Sequence, residues 1–247
     1  MKAPPEAQNR LLELQKLDTV LDQLAHRRRG LPELAEAERL GVRLGELKDA
    51  IVLAETEVGD VTREQGKAEN DVDQVRARSA RDQHRLDSGQ VSSPKELESL
   101  QSEIASLRRR QSDLEDVVLE IMERREGAES RRDALVGERD EVGAEFAGVE
   151  ERRDAALREI DDEAASVGQQ RTEVAKEIPS DLLALYERLR EQYGGIGAAA
   201  LFRGRCEGCH LSLNTVNLNR IRSADTDEVL RCEECRRILV RTPESGL

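Results

Sequence analysis

The sequence predicts a mainly α protein: a long antiparallel helical coiled-coil hairpin followed by a small four-cysteine zinc-ribbon domain with short β-strands. Three observations carry that reading. Ala, Glu, Lys, Leu and Arg make up about half of the 247 residues, a composition typical of long helices. Apolar residues recur alternately three and four positions apart along two stretches free of interior proline. Four cysteines stand as two C-x2-C pairs near the C-terminus.

The first arm is read from the ladder Leu40, Leu44, Leu47, Ile51, Ala54, Val58, Val61, Gln65, Ala68, Val72, Val75, Ser79, Asp82 and Leu86. So narrow an apolar stripe cannot bury itself and calls for a partner helix. Leu14, Leu17, Leu21, Leu24 and Leu31 keep the spacing but fall out of register with it, and the slip coincides with Gly30-Leu31-Pro32. A break is expected there, because proline inside a helix removes a hydrogen bond and clashes with the preceding turn.

The partner arm lies in the same chain, with the same spacing running from Leu97 through Leu100, Ile104, Leu107, Leu114, Val118, Ile121 and Ala128 to Val174. Between the ladders, Ser88-Gly89-Gln90-Val91-Ser92-Ser93-Pro94 is a turn, and Ser93, Pro94 and Glu96 form a capping signal for the second arm. Residues 6–86 and 94–176 are matched in length, as a hairpin requires. The hairpin is assigned to residues 1–178, with its tip at about 87–93. Arg125, Arg132, Arg139 and Arg153 occupy nominal seam positions. Either their stems pack while the heads reach Glu of the other arm or water, or this half of the hairpin opens to accept something.

Residues 179–195 read as a short linking helix, with Leu182, Leu183, Tyr186, Leu189 and Tyr193 on one face and Gly194-Gly195 at its end. Residues 197–243 form the cysteine domain, in which Ala199–Phe202, Glu228–Leu230 and Ile238–Val240 read as strands. The chain has only four aromatic residues and no Trp. Phe146 falls on the hairpin, while Tyr186, Tyr193 and Phe202 cluster where the one sizeable globular core is expected.

Cys206, Cys209, Cys232 and Cys235 carry the clearest chemistry. Two residues between cysteines let one turn aim both thiolates at a single ion, and two such turns complete the tetrahedral set of a structural Zn²⁺. A redox dithiol or an iron site is the alternative. A set closed by four thiolates leaves no position for water or substrate, which disfavours catalytic zinc. His210, directly after Cys209, could replace a cysteine or bind a partner but reads first as a surface or supporting residue, and His26 and His84 read as solvated helix positions. No phosphate loop, dinucleotide fingerprint, nucleophile elbow or zinc-protease motif occurs, so the expectation is a non-enzyme with no small-molecule substrate.

The formal net charge of −13 disfavours general binding to nucleic acid or anionic membranes. Neither a membrane span nor a signal peptide is legible, and a cytoplasmic location with reduced cysteines is expected. Positive charge is concentrated locally. The tip, residues 76–110, carries Arg76, Arg78, Arg81, Arg85, Lys95, Arg108, Arg109 and Arg110 against five acidic residues. The cysteine domain carries Arg203, Arg205, Arg220, Arg222, Arg231, Arg236, Arg237 and Arg241. All of these except Lys95, Arg231 and Arg241 are taken as candidate contacts to a partner or to nucleic acid.

The chain resembles the bacterial C4-type zinc ribbon proteins that carry a long N-terminal helical hairpin. The resemblance rests on Ser93-Pro94-Lys95-Glu96-Leu97-Glu98-Ser99-Leu100, on Leu114-Glu115-Asp116 leading to Leu119-Glu120-Ile121-Met122-Glu123, on Tyr186-Glu187-Arg188-Leu189-Arg190, and on the two cysteine pairs ending in Cys235-Arg236-Arg237-Ile238-Leu239-Val240. Arg236 stands where many relatives carry Gly. A composition of 33 Arg to 6 Lys resembles the actinobacterial branch. The resemblance implies one structural zinc on the four cysteines and a non-enzymatic scaffold, adaptor or chaperone-like regulator. Some members in flagellated or type III secreting bacteria bind secretion components, a sigma factor or a transcript. Protein partners are therefore the first expectation, and RNA or DNA the alternative.

Overall fold

The computed structural model describes all 247 residues, Met1–Leu247, as five helices and a four-stranded sheet. It divides into two compact units, one made of Met1–Leu34 with Glu151–Leu247 and the other of Ala35–Glu150.

The 35–150 unit is built from α2 (Pro32–Asp87) and α3 (Pro94–Lys176). Both begin at a proline, which is tolerated there because the first turn has no intrahelical partner for its N–H. Cross-arm contacts show the arms to be antiparallel: as the α2 partner climbs from Arg39 to Arg78, the α3 partner descends from Glu145 to Glu103. Every position of the α2 ladder is buried or half-buried, with Leu40 and Leu47 almost fully so. Ala37, Leu40 and Val149 form a local core on which Val142 and Phe146 pack. The tip follows Asp87, and Gly89 takes φ +70, a conformation that costs glycine nothing.

The seam arginines Arg125, Arg132 and Arg153 pack their stems as the first expectation has it, while the partners of their heads are partly local. Arg139 is exposed, and the heads of Arg125, Arg132 and Arg139 pair with carboxylates of their own helix. Arg132 and Arg139 each hold the aspartate that follows, Asp133 and Asp140, through two hydrogen bonds. Asp154 is among the partners of Arg153, and Arg125 reaches Glu129 one turn on. For Arg132 and Arg139 the acid next in sequence lies within hydrogen-bond reach of the guanidinium, and the head pairs locally.

In the other unit, α1 (Pro5–Arg29) ends at Gly30, whose N–H donates to the His26 carbonyl at 3.0 Å, and α2 restarts at Pro32. The expected break is therefore present. The unit also contains the last turns of α3, α4 (Ser180–Gln192), and a mixed sheet of β1 (Ala198–Phe202), β2 (Arg205–Cys206), β3 (Leu230–Arg231) and β4 (Ile238–Val240), with α5 (Thr215–Ser223) between β2 and β3. The strand order is β2-β1-β4-β3, with β1 and β4 parallel and the other pairs antiparallel.

Strand alternation divides this sheet between two cores. Ala198, Ile238 and Val240 join Leu11, Leu14, Val174, Ile178, Leu182, Tyr186 and Leu189 of the helical base. Ala199, Leu201 and Leu239 point the other way, toward Cys206, Leu213, Ile221, Leu230 and Cys232. Because successive strand residues face opposite sides, one short strand can serve both layers. Three local readings change. Tyr186 is fully buried and Tyr193 packs at its side, but Phe202 belongs to neither core and stays half-buried. Of the strand expected at Glu228–Leu230 only Leu230 lies in one, the start of β3, while Glu228 forms an isolated antiparallel bridge with Lys2, with Ala3 N–H donating to the Asp227 carbonyl and Val229 N–H to the Met1 carbonyl. Finally, α5 forms where the sequence predicts no helix, and Asn214 caps it by accepting from the Asn217 N–H at 2.8 Å.

Candidate metal centre and basic surfaces

Two matching turns present the cysteines. In the first, Cys206 N–H donates to the Leu211 carbonyl and His210 N–H donates back to Cys206; in the second, Cys232 N–H donates to Arg237 and Arg236 N–H to Cys232. Each turn needs a left-handed residue directly after its second cysteine. His210 (φ +59) and Arg236 (φ +65) supply it. Arg236 thus adopts the conformation that a glycine would take without strain, and the turn forms in the usual way.

The four Sγ atoms all lie within 4.8 Å of one another, with Cys206–Cys235 and Cys209–Cys232 both at 3.9 Å. Four thiolates around zinc at about 2.3 Å stand about 3.8 Å apart, so the donor set, number and spacing fit a tetrahedral Zn²⁺. A disulfide would need the sulfurs at about half that separation. Burial pushes the Cys206 thiol above its ordinary value, against the Gly208 and Cys209 N–H groups that favour its thiolate. Cys232 is also raised by burial, against the Cys235 and Glu234 N–H groups. For Cys235 burial acts in the same direction but is outweighed by hydrogen bonds from the Arg237 backbone and side chain, and its value falls. A bound dication would supply the positive charge that buried thiolates lack.

Arg237 is held inside the unit. Its guanidinium donates to the carbonyls of Ile196 (2.9 Å), Tyr193 (2.8 Å) and Gly208 (3.3 Å), and it lies 5.5 Å from the Tyr193 ring. It ties the first cysteine turn to the segment after α4, so its head is not free for a partner. Arg241 does similar work, donating to five carbonyls between Ile221 and Glu228. Nothing in a sequence tells such an internal arginine from a surface one.

A buried polar network fastens this domain to the helices of the same unit. The Gln15 amide oxygen accepts from Gly197 N–H at 2.8 Å, and its NH₂ donates to the Gly195 carbonyl at 2.9 Å. Asp18, 1% exposed, accepts from Arg171 Nε at 2.6 Å and from the Tyr186 hydroxyl at 2.7 Å, with Arg190 Nε at 3.5 Å. Arg171 also holds Glu187, and Arg190 holds Asp22. Sequence reading passed over Gln15 and Asp18, whose only signal is a polar residue on the apolar face of α1.

The remaining candidate arginines stay on the surface. Arg76 pairs with Asp73 and Glu115, Arg78 with Glu103 and Asp82, Arg205 with Glu207, and Arg220 with Glu233. Arg108 donates to Gln83, and Arg203 lies over the Phe202 ring. Arg81, Arg85, Arg109, Arg110, Arg222 and Arg236 are exposed.

The CT398-like coiled coil hairpin domain model matches residues 14–194, and the C4-type zinc ribbon domain model matches residues 205–239. The chain belongs to the CT398-like hairpin family. An uncharacterised protein of Mycobacterium tuberculosis is 36% identical over 241 residues, 98% of each chain, and one from Mycobacterium leprae is 31% identical over 233 residues, 94% of this chain and 95% of the other. A solved structure from Mycobacterium smegmatis is 33% identical with a TM-score of 0.83, covering 98% of this chain and all of that one. CT398 from Chlamydia trachomatis shares the fold at 20% identity and a TM-score of 0.67, over 96% of this chain and 98% of its own. The four clustered cysteines lie in the ribbon match, which supports zinc binding. No helix is long and apolar enough to cross a membrane.

Proposed function

We propose that this protein is a non-enzymatic scaffold or adaptor, holding one structural zinc ion and working through contacts of its hairpin and ribbon with other proteins. The observation that carries the reading is where the buried polar chemistry goes. The thiolates form a set closed on itself, and Gln15, Asp18, Arg171, Tyr186 and Arg237 are all engaged in fastening the ribbon to the helices beside it. Such groups hold a domain in place; they do not act on a substrate. Four zinc-binding thiolates require reduced cysteines, which supports a cytoplasmic location.

Crosslinking in the native cell with the full-length protein as bait, followed by mass spectrometry, tests this reading. A recurrent set of protein partners is expected, and replacing residues 76–110 by a short turn should remove part of it. Only random crosslinks would overturn it. RNA or DNA binding is the second reading, favoured by the exposed Arg203 and Arg236, both kept at left-handed positions where glycine would be less strained. Anisotropy titrations at low salt that detect no oligonucleotide binding would remove it.

A further inference from the structure

Charge along the 35–150 unit follows a simple rule: an arginine on one arm meets a carboxylate on the other. Arg39 meets Glu145, Arg43 meets Glu138, Glu57 meets Arg131, Glu64 meets Arg124, Arg76 meets Glu115, and Arg78 meets Glu103. Beside the last of these pairs the rule fails. Arg81 of α2 and Arg110 of α3 line the same open groove, and neither has a carboxylate partner. Arg78 shares the groove, but Glu103 and Asp82 already balance it. The other lining residues are Gln74, Val75, Ala77 and Leu107, so the two unbalanced cations stand beside apolar side chains.

We propose that this groove docks one face of an acidic amphipathic helix supplied by a partner protein, with apolar side chains against Val75 and Leu107 and carboxylates on Arg81 and Arg110. The proposal rests on the protein-binding reading above and narrows it to a surface and a partner chemistry. A third helix laid along a two-helix seam finds apolar ground between charged edges, which is how amphipathic helices enter grooves. Like charges sharing a groove repel, and an incoming carboxylate relieves both at once. A nucleic-acid backbone offers nothing apolar for Val75 and Leu107, and no aromatic side chain lies in the groove to stack a base. The net charge of −13 repels a long polyanion, whereas a short helix carries its few charges only where the arginines stand.

The test uses the full-length zinc-loaded protein and a labelled synthetic peptide of about 20 residues, with Leu at the heptad seam positions and Glu beside them. Its controls are the same peptide with Lys for Glu and a single-stranded RNA of similar length. The acidic peptide should bind, and the Arg81→Glu/Arg110→Glu double variant should weaken it by at least about tenfold, or about 1.4 kcal/mol. Lys67→Glu, an exposed charge reversal on α2 away from the groove, should leave binding unchanged. Raising salt from about 50 to about 300 mM should weaken it severalfold. No binding below about 1 mM, or equal binding of the Lys peptide, overturns the proposal. So does RNA binding that the double variant abolishes. Self-association that the double variant dissolves and the peptide does not compete with would assign the groove to a second copy instead. If the peptide fails while cellular crosslinks persist, only the groove assignment falls and the scaffold reading stands.

Discussion

Asp18 is the residue whose loss should reveal most about how the ribbon is held. Its carboxylate is 1% exposed and accepts charge-assisted hydrogen bonds from Arg171 and a further one from Tyr186. Asp18→Asn keeps the shape and one acceptor, but removes the charge and turns an NH₂ toward groups that are themselves donors. Each such bond contributes about 1.5–3 kcal/mol. Arg171 and Arg190 keep Glu187 and Asp22, and their side chains are about a quarter exposed, so water offsets part of the loss. The expected cost is about 2–3 kcal/mol, seen as a fall of about 5–10 °C in the melting of helix signal at 222 nm. Because Asp18 joins α1, α3 and α4 beneath the ribbon, zinc should also become accessible to a chromogenic chelator at lower temperature than in the parent. A cost below about 0.5 kcal/mol, with zinc release unchanged, would refute the reasoning and make the network a bystander.

Four further outcomes follow from the same geometry. Elemental analysis should find one zinc per chain, and Cys232→Ser should lose it while far-UV helix signal changes little, because the ribbon core is separate from the hairpin seam. His210→Gly and Arg236→Gly should each relieve about 1 kcal/mol of left-handed strain, tightening zinc about fivefold in a chelator competition; looser binding in both would count against the turn geometry. Gly197→Ala should destabilise by at least about 1–3 kcal/mol in urea unfolding, since a Cβ there would stand 2.6 Å from the Tyr186 carbonyl oxygen. The Tyr186 hydroxyl is raised above its ordinary value by burial and then by its hydrogen bond to Asp18, so the neutral form is the one the fold favours. Its stabilisation is complete below the unfolded tyrosine value near 10 and drains away as pH rises beyond it, at about 1.4 kcal/mol per pH unit, a slope that Tyr186→Phe should abolish.

Much of the fold was legible because its signals are local. A heptad ladder needs only spacing, and Gly30-Leu31-Pro32 and Ser88–Pro94 announce their breaks through backbone chemistry that neighbours cannot override. The cysteine pairs were legible for the same reason, since two residues between ligands is itself the geometry of the turn. The arginines were not, because a guanidinium's role depends on what folds around it. Arg237 and Arg236 are adjacent and alike in sequence, yet one is bound to three carbonyls inside and the other is exposed. The seam arginines show the same limit: periodicity placed their stems, and only three-dimensional distance selected Asp133 and Asp140 over the opposite arm.

By itself, then, the sequence determined the hairpin, its two breaks and the two cysteine pairs, each encoded within a few residues of chain. The tertiary structure alone decided which polar groups are buried together. Gln15 and Asp18 lie 153–182 residues from Arg171, Tyr186 and Gly197 along the chain, and their pairing exists only once α1 packs against the end of α3, α4 and the first strand of the ribbon. The unbalanced Arg81 and Arg110 are a second such decision, since which carboxylate an arginine meets depends on the register of one arm against the other.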